Sequence, residues 1–180
     1  QGDDVPPSAA LVVQQLVDAP EHVGRQTQQP RRGADLEGGG GRLVGELSGR
    51  IRRPEGVAVH PDGRVFATGA ASGNLVVYRD GRVVAEKSGF SSPHDVEFDR
   101  AGNVWVADAN NDRLVRLNQK LELIGVLSGP AYDFSGPRYM DFDDANRMYL
   151  ADKYNNSIKV IEAGGRLLQV LGKKTAGKGP

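Results

Sequence analysis

Three stretches of the sequence repeat one another, and this self-similarity limits the fold more than any other property. The copies open at Pro54, Pro93 and Pro137. They recur about every 40 residues, the period of a supersecondary unit that buries its apolar face by stacking on its neighbours. Arg53–Gly89 reads RPEGVAVHPDGRVFATGAASGNLVVYRDGRVVAEKSG, Ser92–Gly129 reads SPHDVEFDRAGNVWVADANNDRLVRLNQKLELIGVLSG, and Gly136–Gly172 reads GPRYMDFDDANRMYLADKYNNSIKVIEAGGRLLQVLG. In each, a Pro precedes a short alternating run: Val57–Val59, Val96–Phe98 and Met140–Phe142. A turn follows, Pro61-Asp62-Gly63, Arg100-Ala101-Gly102 or Asp144-Ala145-Asn146, and then a second apolar run, Arg64–Thr68, Val104–Asp108 or Met148–Asp152. A turn rich in Asn and Gly leads to a third run, Leu75–Tyr78, Leu114–Leu117 or Ile158–Ile161. The fourth is Val83–Glu86, Leu123–Leu127 or Leu167–Leu171. Runs this short, separated by turn residues, are antiparallel strands and not helices.

The segments ADANNDRLVRL at Ala107–Leu117 and ADKYNNSIKVI at Ala151–Ile161 resemble the NHL repeat, whose core reads roughly Val-Ala-Asp, two variable residues, Asn, then a strand. The resemblance covers about Arg42 to Gly172. It extends to the broader six-bladed group of amidating lyases and lactonase or strictosidine-synthase-like propellers. It implies an all-β fold: a β-propeller fragment with three clear four-stranded blades and part of a fourth. The Gly-His and Trp-Asp signatures of WD-repeat propellers do not occur. The first copy departs from the pattern, with Thr68-Gly69 where the others carry Ala107-Asp108 and Ala151-Asp152. Asp108 and Asp152 are expected to accept hydrogen bonds from backbone N–H groups of the turn that follows them. Phe66, Trp105 and Tyr149 occupy one repeat position, which marks it as packing between blades.

The expected organisation is an N-terminal segment over 1–33, then blades over 34–180: a partial blade at 34–52, blades at 53–91, 92–135 and 136–172, and a tail at 173–180 leading toward a further repeat. ADLEGGGGRLVGELSG at Ala34–Gly49 resembles the end of the third copy, and its glycines Gly38–Gly41 read as a long hairpin turn. SAALVVQQLV at Ser8–Val17 fits a buried strand or a short amphipathic helix equally well. Open blade edges favour self-association, and two half-rings would close a ring.

Propellers hold ligands around the central channel, so the residues just after each opening Pro are the candidates: Glu55, His94, Asp95, Arg138 and Tyr139. Acid, imidazole, guanidinium and phenol together suit a polar or anionic small ligand or a peptide carboxylate. Pro93-His94 is similar to the Pro-His element of the amidating lyases, where such histidines bind zinc. A catalytic zinc site needs about three protein ligands. The equivalent positions here are Glu55, which could serve, and Arg138, which could not; His22 lies in the N-terminal segment and His60 beside the Pro61-Asp62-Gly63 turn. Asp141, Asp143 and Asp144 form an acidic cluster that a calcium ion could use, with Asp141 and Asp143 expected on one face of a strand. Otherwise no metal or organic cofactor is expected.

Net charge is zero, with 23 Lys+Arg against 23 Asp+Glu, which argues against nucleic acid as a partner. The basic residues, Arg52-Arg53 and Lys173, Lys174 and Lys178, sit at joints and tail. No run approaches the roughly 20 apolar residues of a membrane span. Cys is absent, which removes thiolate chemistry. Neither a nucleophile elbow nor a phosphate-binding glycine loop occurs. The first residue, Gln1, suits an exported protein after signal cleavage or a cut within a longer chain. These readings point to a non-catalytic scaffold that binds a protein or a polar small ligand at a channel mouth. The alternative is a metal-dependent propeller enzyme of the amidating lyase or lactonase type.

Overall fold

A computed structural model describes residues 50–172. The expectations for 1–33, 34–49 and 173–180, which include Ser8–Val17, His22, Gly38–Gly41 and the basic tail, lie outside the described residues. Among the described residues twelve strands form three four-stranded antiparallel sheets. The first contains β1 (Pro54–Val59), β2 (Val65–Gly69), β3 (Asn74–Arg79) and β4 (Arg82–Ser88). The second contains β5 (Pro93–Phe98), β6 (Val104–Asp108), β7 (Arg113–Leu117) and β8 (Leu123–Leu127). The third contains β9 (Pro137–Phe142), β10 (Arg147–Asp152), β11 (Ser157–Glu162) and β12 (Leu167–Leu171). Each sheet pairs its strands in sequence order. Between sheets, β1 packs on β5 and β5 on β9. The first strand of every sheet is therefore the inner one, and the fourth lies at the rim. Among the described residues no helix is long and apolar enough to cross a membrane.

Local chemistry explains the strands and their ends. The β3–β4 hairpin closes on Asp80-Gly81, with φ of 51° and 72°, the two-residue turn that matches strand twist and favours Asp-Gly. The residue before each opening proline takes a left-handed backbone: φ is 51° at Arg53, 51° at Ser92 and 61° at Gly136. For Arg53 and Ser92 this costs about 1–2 kcal/mol. Its recurrence in three sheets marks it as the kink that turns the chain from one rim to the next inner strand.

Sheet faces form the core. Ala58, Phe66, Leu75 and Val77 of the first sheet pack with Val96, Val104, Val106, Val115 and Leu117 of the second. Trp105, Ala107, Leu114 and Leu127 of the second pack with Met140, Met148, Leu150 and Ile161 of the third, with Phe134 of the connecting segment. Phe66 and Trp105 thus fill the same place in successive interfaces, as their repeat position requires. The Trp105 indole N–H donates to Asp99 Oδ2 at 3.1 Å, and Arg116 Nη2 donates to the same oxygen at 2.8 Å. Tyr149, the third member, lies half-buried on the free face of the third sheet, where Ile158 and Leu171 are exposed. Val57 is exposed on the opposite face of the first sheet.

Asp108 and Asp152 are fully buried, and they hold the sheets to their linkers by a different route from the one expected. Asp108 Oδ1 accepts the Ser91 N–H at 2.6 Å, and Asp152 Oδ1 accepts the Ser135 N–H at 2.7 Å. The backbone donor belongs to the segment entering the blade and not to the following turn. Pairing sets this: Asp108 lies opposite Pro93 and Asp152 opposite Pro137, so each carboxylate faces the incoming chain. The second oxygens take the amides of Asn111 and Asn155 at 2.8 and 2.7 Å, and the cations of Arg113 and Lys159, each at 2.6 Å. In the first sheet Gly69 replaces the aspartate, and Ser72 Oγ accepts the equivalent N–H, that of Arg52, at 3.0 Å. A side chain begun at Gly69 would run into Asn74 Oδ1 at 2.6 Å. The first blade has therefore moved the acceptor to another residue and kept the tie.

Candidate functional site

The candidate residues lie within the inner strands and not in loops ahead of them, because Pro54, Pro93 and Pro137 are themselves the first strand residues. Each inner strand carries one extra residue against its partner just after the proline. Pro54 and Val57 pair with Gly69 and Ala67. Pro93 and Asp95 pair with Asp108 and Ala107. Pro137 and Met140 pair with Asp152 and Leu150. These are bulges, which re-aim side chains out of the alternating pattern. Glu55, His94 and the pair Arg138-Tyr139 occupy them.

Three successive blades meet at His94. The imidazole is buried, its Nδ1 lying 3.7 Å from Glu55 Oε2 of the first blade and 3.4 Å from Arg138 Nη1 of the third. Its Nε2 lies 3.5 Å from Ser92 Oγ. Arg53 spans the same joint, with Nη2 donating to Ser92 Oγ at 3.1 Å and Nε 3.5 Å from Glu55 Oε1. Burial pushes the imidazole below its usual range, and the Arg138 charge adds to this while Glu55 opposes it. His94 is thus neutral at pH 7. A guanidinium can only donate, and Arg138 is the nearer of the two groups at Nδ1, which favours Nδ1 as acceptor and the proton on Nε2 over the opposite pull of Glu55.

Asp95 departs from the expected group. Its Oδ2 accepts the Met140 N–H at 2.7 Å, which ties β5 to β9 and buries the carboxylate between blades. The bulge at His94 is the reason: it turns Asp95 toward the third sheet. Burial pushes Asp95 up to about 6, with Asp141 adding repulsion. Glu97, on the same strand face, is pushed up to about 7 by burial and by the charges of Asp95 and Asp141. Tyr139 is exposed. The first and second blades approach closely at Gly56, where a Cβ would stand 2.6 Å from the Asp95 Cα and 2.8 Å from the His94 carbonyl oxygen. Only glycine fits there.

Two functional candidates were missed in the sequence. Lys153 and Tyr154 stand in the turn after β10, beside Arg138. A hydrogen bond from Arg138 and the Lys153 charge pull the Tyr154 phenol below its usual range. Lys153 Nζ lies 4.8 Å from the centre of the Tyr154 ring. Gly136 makes the room, since a Cβ there would meet that ring at 2.5 Å. The signal was available as a departure from the repeat: Lys153-Tyr154 stand where the other copies have Ala70-Ala71 and Ala109-Asn110, and Gly136 stands where they have Arg53 and Ser92.

The donor set does not fit a metal. Among the described residues no three His, Asp or Glu side chains group so as to hold an ion, and the Arg138 guanidinium occupies the approach to His94 Nδ1. The acidic cluster is also arranged differently from the alternation expected for it. β9 ends at Phe142, so Asp143 opens the turn. There Asp143 Oδ1 accepts the N–H groups of Ala145 and Arg147 at 3.0 and 2.9 Å, and Oδ2 takes Arg147 Nε at 2.7 Å.

No family model and no curated protein matches the sequence. Solved structures do match. The selenomethionine form of virginiamycin B lyase from Staphylococcus aureus is similar at 19% identity, covering 64% of this chain and 40% of that one, with a TM-score of 0.56. A catalytically inactive histidine-to-alanine variant of that lyase, with quinupristin, matches at 18% identity over 73% of this chain and 45% of its own, with a TM-score of 0.61. Hydrazine synthase from Kuenenia stuttgartiensis matches at 19% identity over 78% of this chain and 41% of its own, with a TM-score of 0.59. The chain thus spans less than half the length of these structures. The likeness shows the fold: these are the blades of a β-propeller.

Proposed function

We propose that this chain is a propeller scaffold of the NHL kind that binds a protein segment or a polar small ligand at the inner-strand bulges, without catalysing a reaction. The repeated tie made by Asp108 with Asn111, and by Asp152 with Asn155, supports the NHL assignment, because it gives the motif's two most characteristic residues one shared structural task. The observation that carries the binding role is the meeting of Glu55, His94 and Arg138 from three successive blades. Charged and polar groups brought together beside a buried face are costly unless something uses them. Rigid sheets hold them, so the surface is preorganised for a partner.

A second reading is an enzyme of the lyase or lactonase type. The likeness to a lyase that loses activity on a histidine-to-alanine change favours it, since His94 is neutral and has a carboxylate nearby. The Arg138 contact opposes it, because it leaves the proton on Nε2 and the lone pair facing a cation. One experiment separates the two: titrate the chain with divalent metals and polar ligands, following the His94 imidazole by NMR, then repeat with Arg138→Ala. A scaffold binds ligand without metal and loses affinity in the variant. Stoichiometric metal bound through His94, with turnover, would replace the scaffold reading by the enzymatic one.

A further inference from the structure

We propose that the bulge site takes a ligand ending in a single carboxylate, received in a notch formed by Arg138, Lys153 and Tyr154 of the third blade. The inference deepens the binding role above and rests on it. Arg138 is the first ground. Among the described residues it ion-pairs with no carboxylate, and its present partners are a neutral imidazole nitrogen at 3.4 Å and a phenol, both weaker acceptors than a carboxylate. Its Nε is buried and finds no hydrogen-bond partner among the described residues. Buried donors left in that state are rare and call for an explanation, and a guanidinium pairs best with a planar carboxylate that accepts two bonds.

The second ground is independent. Lys153, Tyr154 and Gly136 depart from the repeat together and on one side of the site. The Asp152–Asn155 tie beneath them is the same as in the second blade, where Ala109 and Asn110 suffice. Tyr154 is 62% exposed, so its ring is a surface for a flat group beside the carboxylate. The charge balance limits the ligand further. The charges of Arg138, Glu55, Arg53 and Lys153 all act on His94, and the acids Asp95, Glu97 and Asp141 follow along β5 and β9. One anionic group at these cations is attracted, whereas a second anionic group elsewhere on the ligand would lie along the acids of β5 and β9.

The test uses the full chain, labelled for NMR, with three probes: hippurate, the neutral hippuramide and phenyl phosphate. Hippurate is expected to shift the amides of Arg138, Lys153 and Tyr154 and to bind roughly tenfold more tightly than hippuramide, as one charge-assisted pair implies. The double substitution Lys153→Ala with Tyr154→Asn installs the residues of the second blade, so the turn keeps a sequence this fold already uses. It should weaken hippurate about tenfold with the melting temperature unchanged. Equal binding of hippurate and hippuramide would overturn the carboxylate assignment and leave the binding site standing. Tighter binding of phenyl phosphate would overturn the choice of a carboxylate over a phosphate. Unaltered hippurate affinity in the double variant would overturn the notch. Failure of all three probes to move any resonance of Glu55, His94 or Arg138 would overturn the binding role itself.

Discussion

Replacing Asp152 by Ala takes away an acceptor that serves three donors at once: the Ser135 N–H, the Asn155 amide and the Lys159 ammonium. The ammonium decides the magnitude. The Lys159 side chain is 4% exposed, so without Asp152 its charge stays buried and uncompensated. Breaking such a pair costs about 3–5 kcal/mol. Lys159 keeps the carbonyl oxygens of Tyr132 and Asp133 and the Phe134 ring, which argues for the lower end, about 3 kcal/mol. That corresponds to a fall in Tm on the order of 10 °C for a chain of this size. Asp108→Ala is the internal control. It removes the same kinds of bond, but its cation Arg113 is 32% exposed and can turn to water, so the cost should be about 1–2 kcal/mol. Urea unfolding at pH 7 with circular dichroism measures both. Adding Lys159→Met to Asp152→Ala should restore part of the loss by removing the stranded charge. The reasoning fails if Asp152→Ala costs no more than Asp108→Ala, or if Lys159→Met makes the single variant worse.

Trp105→Ala should cost about 3–5 kcal/mol, measured by the same unfolding; an unchanged midpoint would mean that the interface between the second and third blades does not depend on it. Gly56→Ala should destabilise by at least about 1–3 kcal/mol, as overpacking against backbone does, and should shift the His94 imidazole resonances, because the close approach is to His94 and Asp95; a neutral effect would contradict that approach. Folding raises the pKa of Glu97, so the stability this group contributes is present below the ordinary glutamate range and is lost as pH rises through about 7. Glu97→Gln should therefore raise Tm at pH 8 relative to wild type and leave it nearly unchanged at pH 4, and an equal shift at both pH values would refute the buried-charge account. Arg138→Ala should weaken hippurate binding and leave Tm within about 2 °C, since no buried carboxylate loses a partner; a large loss of stability would make Arg138 a structural tie between blades.

Much of the fold was legible because its information is local. Alternation within four or five residues makes a strand, and Asp-Gly or Gly at a turn makes it reverse. Three copies of the pattern made the stacking of sheets unavoidable, since each has apolar residues on both faces. The shared position of Phe66 and Trp105 announced their common place in successive interfaces. The candidate site was legible only as a set of positions. That Glu55, His94 and Arg138 are equivalent in the repeat follows from their prolines, because rotation about a common axis carries equivalent residues to equivalent places.

Tertiary structure decided the rest, for reasons that a linear pattern does not carry. One extra residue in each inner strand re-aims the side chains that follow it. Alternation could not foresee that Asp95 would turn into the blade interface while His94 met Arg138. Asp108 and Asp152 face the incoming chain because of strand pairing, and pairing register is a property of two strands. The buried Lys159 reads in sequence like any surface lysine. Its burial depends on the segment around Tyr132–Phe134 folding over it, at a sequence distance of about 26 residues. Lys153 and Tyr154 were visible as departures from the repeat, but their meaning came only when Gly136 and Arg138 were found beside them. The sequence by itself determined the unit and its repetition, because both rest on interactions within a strand and its turns. Which polar groups face one another was left to the packing of one blade on the next.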